Sequence, residues 1–275
     1  MAASLTTDHA WRLWGERDPY FAVITDPQYR ATHLDDAAKA QFFESGRDHA
    51  QHVLATCTRH LDAKFAPRSA LDFGCGVGRV LLGLAERVEQ VVGVDVAPGM
   101  LAEARRVCDA RGLTNVTLLP SDDSLSALTQ RFDLVHSCIV LQHIDIVRGR
   151  QLFRRLVDLV AEGGCGALQV TYGKRYHPGS FGQPPPPPVP PVVPRRGWRS
   201  WIGSHAGEPR PDAVASEIHG DPAMQMNAYN LSELMFVLQS AGVFSLHLEF
   251  TDHGGELGVF LFFSKPAAAA AARAA

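Results

Sequence analysis

The chain has 275 residues, 46% of them hydrophobic and 20% charged, with a formal net charge of −3. That apolar share suffices for one large core or one core plus a small appendage, and the charge balance supplies no broad basic field for gripping nucleic acid. No apolar run approaches the roughly 18–20 residues that cross a bilayer, and Asp8, Arg12, Glu16 and Arg17 interrupt the opening stretch where a secretion signal is apolar.

Five cysteines, Cys57, Cys75, Cys108, Cys138 and Cys165, are scattered and include no C-x-x-C pair. They fit buried thiols in a reducing cytoplasm better than a disulfide framework or a zinc site. No grouped His and Asp set has metal-ligand spacing, which disfavours a metal-dependent reaction.

Residues 1–68 read as mainly helical, too short and mixed for an independent domain, and are expected to cap the functional edge of the sheet formed downstream. Ser69–Phe73 then reads as a short buried strand, Gly74–Gly78 as a glycine-rich turn and Val80–Arg87 as the start of a helix. Val91–Val94 is β-branched and short, a buried parallel strand. Pro98–Arg111 places Met100, Leu101, Ala104 and Val107 at helical spacing before the stop signal Gly112. Val116–Leu119 and Phe132–Ile139 are the next strands, Gln151–Val160 an amphipathic helix and Ala167–Val170 a fifth strand. This alternation predicts an α/β fold over 69–171: a Rossmann-like, mostly parallel sheet with right-handed crossovers and helices on both faces.

The segment 172–228 breaks the pattern. Pro184–Pro188, Pro190, Pro191 and Pro194 form a polyproline II stretch, flanked by Lys174, Arg175, Arg195, Arg196, Arg199 and Arg210. A solvated spacer is the plainer expectation, and a lid or a dock for an anionic substrate or SH3-like partner the sharper one. In 229–265, Leu231–Ser240 reads as an amphipathic helix, and Phe244–Phe250 and Gly258–Phe263 as strands of a closing antiparallel hairpin that completes the sheet. The alanine-rich tail 266–275 is expected to fray.

The chemistry centres on Asp72-Phe73-Gly74-Cys75-Gly76-Val77-Gly78-Arg79. Glycines at 74, 76 and 78 let the backbone bend sharply and approach a ligand closely. Running from strand into helix, the turn can aim N–H groups at an electron-rich group. Asp95, directly after the second strand, stands where an acidic residue accepts hydrogen bonds from ribose hydroxyls. A nicotinamide dinucleotide fingerprint needs glycine at the position of Arg79, which counts against an oxidoreductase.

This arrangement resembles motif I of the class I methyltransferases that use S-adenosylmethionine (SAM). The resemblance covers residues 69–170 and extends through the terminal helix–strand–strand pattern to about 264. It implies that Asp72, Gly74, Gly76 and Gly78, with Cys75 and Arg79 in the same turn, hold the amino-acid part of SAM. Asp95 would bridge the ribose hydroxyls, with Val96 and Met100 beside it. Ser121-Asp122-Asp123-Ser124 matches the family's short acidic motif for the adenine amino group, either Asp122 or Asp123 fitting and Ser124 adjoining. Phe132–Ser137 resembles motif IV, placing Ser137 near the transferable methyl. A weaker likeness of residues 15–23 to a bacterial small-molecule subgroup would put Tyr20 and Phe21 over the methionine end of the cofactor; cap packing is the alternative.

Methyl transfer needs alignment behind the methyl and exclusion of water. A hydroxyl acceptor benefits from a base, and His143, beyond the fourth strand, is the best placed; a purely structural role is the alternative. His219, His253 and, nearby in sequence, Tyr229 fall in the expected acceptor wall, where a structural or solvent-facing role is the plainer expectation for each. The resemblance thus implies a SAM-dependent methyltransferase acting on a hydroxyl or amine of a small molecule, a sugar or secondary-metabolite scaffold, with no nucleic-acid or membrane partner. A scaffold that binds SAM and recruits a partner through its prolines is the alternative.

Overall fold

The computed structural model describes residues 6–175 and 220–267. The proline-rich stretch, Arg195, Arg196, Arg199, Arg210, His219 and most of the alanine-rich tail lie outside the described residues.

Three N-terminal helices come first: α1 (Thr7–Arg17), α2 (Pro19–Val23) and α3 (Asp36–His60). Each start has a local cause. The Thr6 hydroxyl accepts from the His9 N–H, Pro19 opens α2, and the Asp35 carboxylate accepts from the Ala38 N–H. The long α3 buries Phe42, Phe43, Gly46, Ala50, Val53 and Cys57, a stripe at steps of three and four.

The remaining elements are β1 (Ser69–Phe73), α4 (Arg79–Ala85), β2 (Gln90–Asp95), α5 (Pro98–Ala110), β3 (Val116–Pro120), β4 (Phe132–Ser137), α6 (Ile146–Leu159), β5 (Val160–Lys174), α7 (Leu231–Ser240), β6 (Leu246–His253) and β7 (Glu256–Ser264). They build one sheet of order β3-β2-β1-β4-β5-β7-β6. The pairs from β3 to β5 are parallel, whereas β7 runs antiparallel to both β5 and β6. The chain therefore forms the expected Rossmann-like α/β fold with a C-terminal antiparallel hairpin and an N-terminal helical cap. Strand β1 lies between β2 and β4, and the strand order reverses there; ligands of open α/β sheets gather above the carboxyl ends at such a point.

Both faces of the sheet are covered. Phe260 and Phe262 of β7 pack with Phe42 and Leu81 on one side, and Leu261 and Phe263 pack with Phe153 and Leu234 on the other. Successive side chains alternate between the two layers, so a continuous apolar run serves both.

Several boundaries differ from the sequence reading. Helix α6 starts at Ile146, not Gln151, because Asp145 caps it by accepting from the Val147 and Arg148 N–H groups; the exposed Ile146 and Val147 break the apolar stripe that marks the rest. Strand β5 begins where α6 closes and reaches Lys174, so residue 171 lies inside a strand rather than at a boundary. Strand β4 stops at Ser137, since Ile139 adopts a left-handed φ of 57°. No helix among the described residues is long and apolar enough to cross a membrane.

Candidate active site

The turn after β1 carries φ values of 73°, 53° and 88° at Gly74, Gly76 and Gly78, a conformation that side chains rarely adopt. Its entry is fixed by N–H groups of Gly74 and Cys75 donating to the Val94 carbonyl at 2.8 and 3.0 Å. A Cβ at Gly74 would sit 2.3 Å from a methyl of Val140, so glycine is required there twice over.

Asp95 closes β2 beside this turn. Its Oδ2 accepts from the Gly76 N–H at 2.9 Å and its Oδ1 from the Ala97 N–H at 2.8 Å. Burial pushes the carboxyl up to about 6, against the pull of those N–H donors.

A pocket of about 870 Å³, including its open mouth, lies above this edge. Asp95, Val96, Met100 and Ser121 line it on the β2 side of β1, and Gly74 and Gly76 lie between the flanks. Cys138, Ile139, Val140 and His143 line it on the β4 side. The cap supplies Thr7, Asp8, Trp11, Ala22 and Val23. The residues fit an adenosyl group: a carboxylate able to accept from two hydroxyls, a main-chain bend whose Gly74 and Gly76 line the pocket, and apolar flanks.

His143 is buried against this space. Its Nδ1 donates to the Gln225 carbonyl at 2.8 Å, which places the neutral ring's lone pair on Nε2, where the Gln142 side-chain amide donates at a long 3.4 Å. Burial lowers its pKa to about 4. Trp11 packs against the ring at 4.9 Å, and the Thr7 hydroxyl donates to the His143 carbonyl at 2.6 Å.

Of the residues singled out from sequence, Gly74, Gly76, Arg79, Asp95, Val96, Met100 and His143 come together here. The others do not reach the wall. Tyr20 is turned into the cap: its hydroxyl donates to Glu103 at 2.5 Å and its ring meets Phe42 and Phe43 edge-on. Phe21 is covered by the Arg30 guanidinium at 3.4 Å. Asp122 folds back onto its own loop, accepting from the N–H and hydroxyl groups of Ser124 and Ser126, and these donors hold its carboxyl well below the usual range. Asp123 pairs with Arg148 at 2.6 Å. Ser124 is spent in that same turn, and Ser137 is buried with its hydroxyl on the Phe73 carbonyl at 3.1 Å. Cys75 and Gly78 are buried in the turn away from the pocket wall.

Asp72 is also withdrawn. Buried within the sheet, its Oδ1 accepts from Nδ1 of His136 on β4 at 2.8 Å, and Nε2 of His136 meets Nε2 of His49 on α3 at 3.0 Å. His253 lies within the electrostatic reach of Arg79, and burial lowers its pKa. Tyr229 is buried, its hydroxyl shared between the Leu141 and Ile144 carbonyls at 2.8 and 2.9 Å.

The sequence reading missed Trp11, Cys138 and Arg148. Thr7, Asp8 and Trp11 share one helical face by their spacing, but no local signal says which sheet edge that face meets. Arg148 grips both Asp8 oxygens at 2.6 and 3.0 Å and so joins α6 to the cap.

A family model described as a methyltransferase domain matches residues 70–164. The chain is 30% identical over 191 residues to trans-aconitate 2-methyltransferase of Acidovorax ebreus (strain TPSY), covering 69% of this chain and 67% of that protein. It is 37% identical over 98 residues to an aklanonic acid methyltransferase of Streptomyces sp. (strain C5), covering 34% of this chain but only 44% of that protein. In fold it matches the magnesium protoporphyrin IX methyltransferase of Synechocystis PCC 6803, solved with bound S-adenosylhomocysteine (SAH), at a TM-score of 0.57 and 17% identity, over 93% of this chain and 98% of that one.

Proposed function

Because the chain belongs to the class I SAM-dependent methyltransferases, we propose that it methylates a hydroxyl or amine of a small molecule, such as a sugar or a secondary-metabolite scaffold. The observation that carries this reading is the opposition within one pocket of Asp95 with the Gly74–Gly76 bend and, across β1, of His143. Asp95 would accept from the ribose hydroxyls, Gly74 and Gly76 would pass the aminocarboxypropyl arm along bare main chain, and Val96 and Met100 would flank the adenine. Ser121, rather than Asp122 or Asp123, lines the pocket from that loop and would meet the base.

When bound, SAM supplies an electrophilic methyl on a sulfonium. The chain's part is to align the acceptor and keep water out. Trp11 and Val23 roof the site, and His143 offers Nε2 to the acceptor's proton while Gln225 fixes the ring. The net charge of −3 argues for a small acceptor over a nucleic acid. Two relatives carry small organic acids in their names, which supports the same class. The alternative of a partner-recruiting scaffold is not favoured, since the pocket pairs a cofactor wall with a base. The test is calorimetric titration with SAH followed by mass spectrometry of small hydroxy and amino acceptors incubated with SAM. Absence of SAH binding at millimolar concentration ends this reading.

A further inference from the structure

On the premise of that methyltransferase reading, we propose that Arg79 receives a carboxylate of the methyl acceptor, so that the substrates of this enzyme are organic acids.

Arg79 lines the pocket, yet among the described residues no carboxylate pairs with it. Among the described residues its guanidinium makes one hydrogen bond, from Nη1 to the Ser45 hydroxyl at a long 3.4 Å, while its Nε is buried with no partner at all. The Ser45 hydroxyl spends its own proton on the Phe42 carbonyl. Three other partly buried arginines are paired with acids: Arg30 with Asp18 and Asp221, Arg47 with Glu44 and Glu86, and Arg148, in the same pocket, with Asp8 and Asp123. A guanidinium left without a counter-charge and with a dry N–H is costly, and its planar fork matches a carboxylate.

The surroundings of Arg79 place it toward the acceptor. Among the groups that feel its charge are His49 on α3, Cys138 beyond β4, His253 on β6 and Tyr29. Arg79 starts α4, reaches Ser45 on α3 and lines the pocket together with Cys138 beyond β4. Burial pushes His49 and His253 down and Cys138 up, to about 11, so none of the three carries a charge at pH 7 that would offset or repel an acid beside the guanidinium. Asp72, the acid whose charge also reaches Cys138, is committed to His136. An incoming acid group therefore meets an unspent positive charge on the β4 side, with the ribose-binding carboxylate on the other.

The cofactor carries a carboxylate of its own, and the experiment separates the two sources. Protein preloaded with SAH is titrated calorimetrically with tricarballylate and benzoate, and in parallel with the corresponding amides. The comparison uses the wild type, Arg79→Gln and Arg79→Lys. The expected result is that wild type binds the acids and not the amides. Arg79→Gln should weaken acid binding by about tenfold or more while SAH affinity stays within about threefold, and Arg79→Lys should fall between. The lysine variant keeps the charge, and so keeps the test standing if the glutamine variant fails to fold. Acid binding that survives Arg79→Gln while SAH affinity collapses assigns Arg79 to the cofactor's carboxylate and overturns the proposal. Equal binding of acids and amides, or of neither, overturns it as well. Failure of the wild type to bind SAH is a separate outcome that removes the methyltransferase reading underneath.

Discussion

Oδ1 of Asp72 accepts a hydrogen bond from Nδ1 of His136 across 2.8 Å, with both side chains sealed between β1 and β4. The acid that heads the glycine turn is thus held by the sheet. Removing one partner of such a buried pair strands the other, at a cost of about 3–5 kcal/mol, whereas replacing both by apolar groups is close to neutral. His136→Leu should lower the urea unfolding free energy by that amount, and Asp72→Leu combined with His136→Leu should recover most of it. Additive losses in this cycle would falsify the coupling.

On the proposed ribose contact, Asp95 would tie pH to cofactor affinity. Its folded pKa of about 6 lies above the ordinary aspartate value of 3.8, so the unliganded protein holds a proton there between about pH 4 and 6, and this residue's contribution to stability falls as pH rises through that window. Ribose hydroxyls donate best to the ionised carboxylate. SAH affinity should therefore fall, by up to about tenfold per unit, as pH drops below about 6. Asp95→Asn should flatten that dependence, and Asp95→Ala should weaken SAH binding at pH 7.5 by at least about tenfold. Calorimetry from pH 5 to 7.5 reads all three.

His143 works in the opposite direction. Its pKa drops from 6.5 to about 4 on folding, so the unfolded chain takes up a proton there first and stability is lost as pH falls from 6.5 toward 4. That gap is worth about 3 kcal/mol at its acid limit. His143→Gln should be less acid-labile than wild type in urea titrations at pH 7.5 and 4.5. If Nε2 takes the acceptor's proton, the same variant should lose about 10²–10⁴-fold in kcat with SAH affinity little changed. An unaltered kcat would reduce His143 to a packing residue.

Tyr229 pins the short helical turn that presents His143. Tyr229→Phe removes the donor from two buried carbonyls, Leu141 and Ile144, and should cost about 1–3 kcal/mol. A lowered Tm by calorimetry checks it. The same hydroxyl lies 1.8 Å from where a Cβ on Gly149 would stand, so Gly149→Ala should destabilise wild type more than it destabilises the Tyr229→Phe protein.

What could be read from the sequence was local. The glycine turn, the aspartate ending the next strand and the helix Leu231–Ser240 each depend on neighbours within a few residues, and the structure places them accordingly. The fates of Asp72, Asp122 and Tyr20 depend on partners the sequence does not announce. His136 lies 64 residues from Asp72, and Glu103 lies 83 from Tyr20. Asp122 had a local alternative, since serines at two and four residues onward favour a self-capped loop, but the acidic pattern after the third strand points to its charge instead. The start of α6 was hidden because Asp145 caps it just before two exposed apolar residues.

The clasp of Arg148 on Asp8 has a kinetic consequence. Helix α1 roofs the pocket, and it is fastened to the body by this ion pair, by the Thr7 hydroxyl on the His143 carbonyl and by Arg17 on the Gly220 carbonyl. Were release of a spent cofactor to need that roof lifted, the ion pair, still a quarter to a third accessible, would be open to screening by salt. Turnover limited by this step runs faster, not slower, as ionic strength rises, and charge-neutral Asp8→Asn protein loses that response.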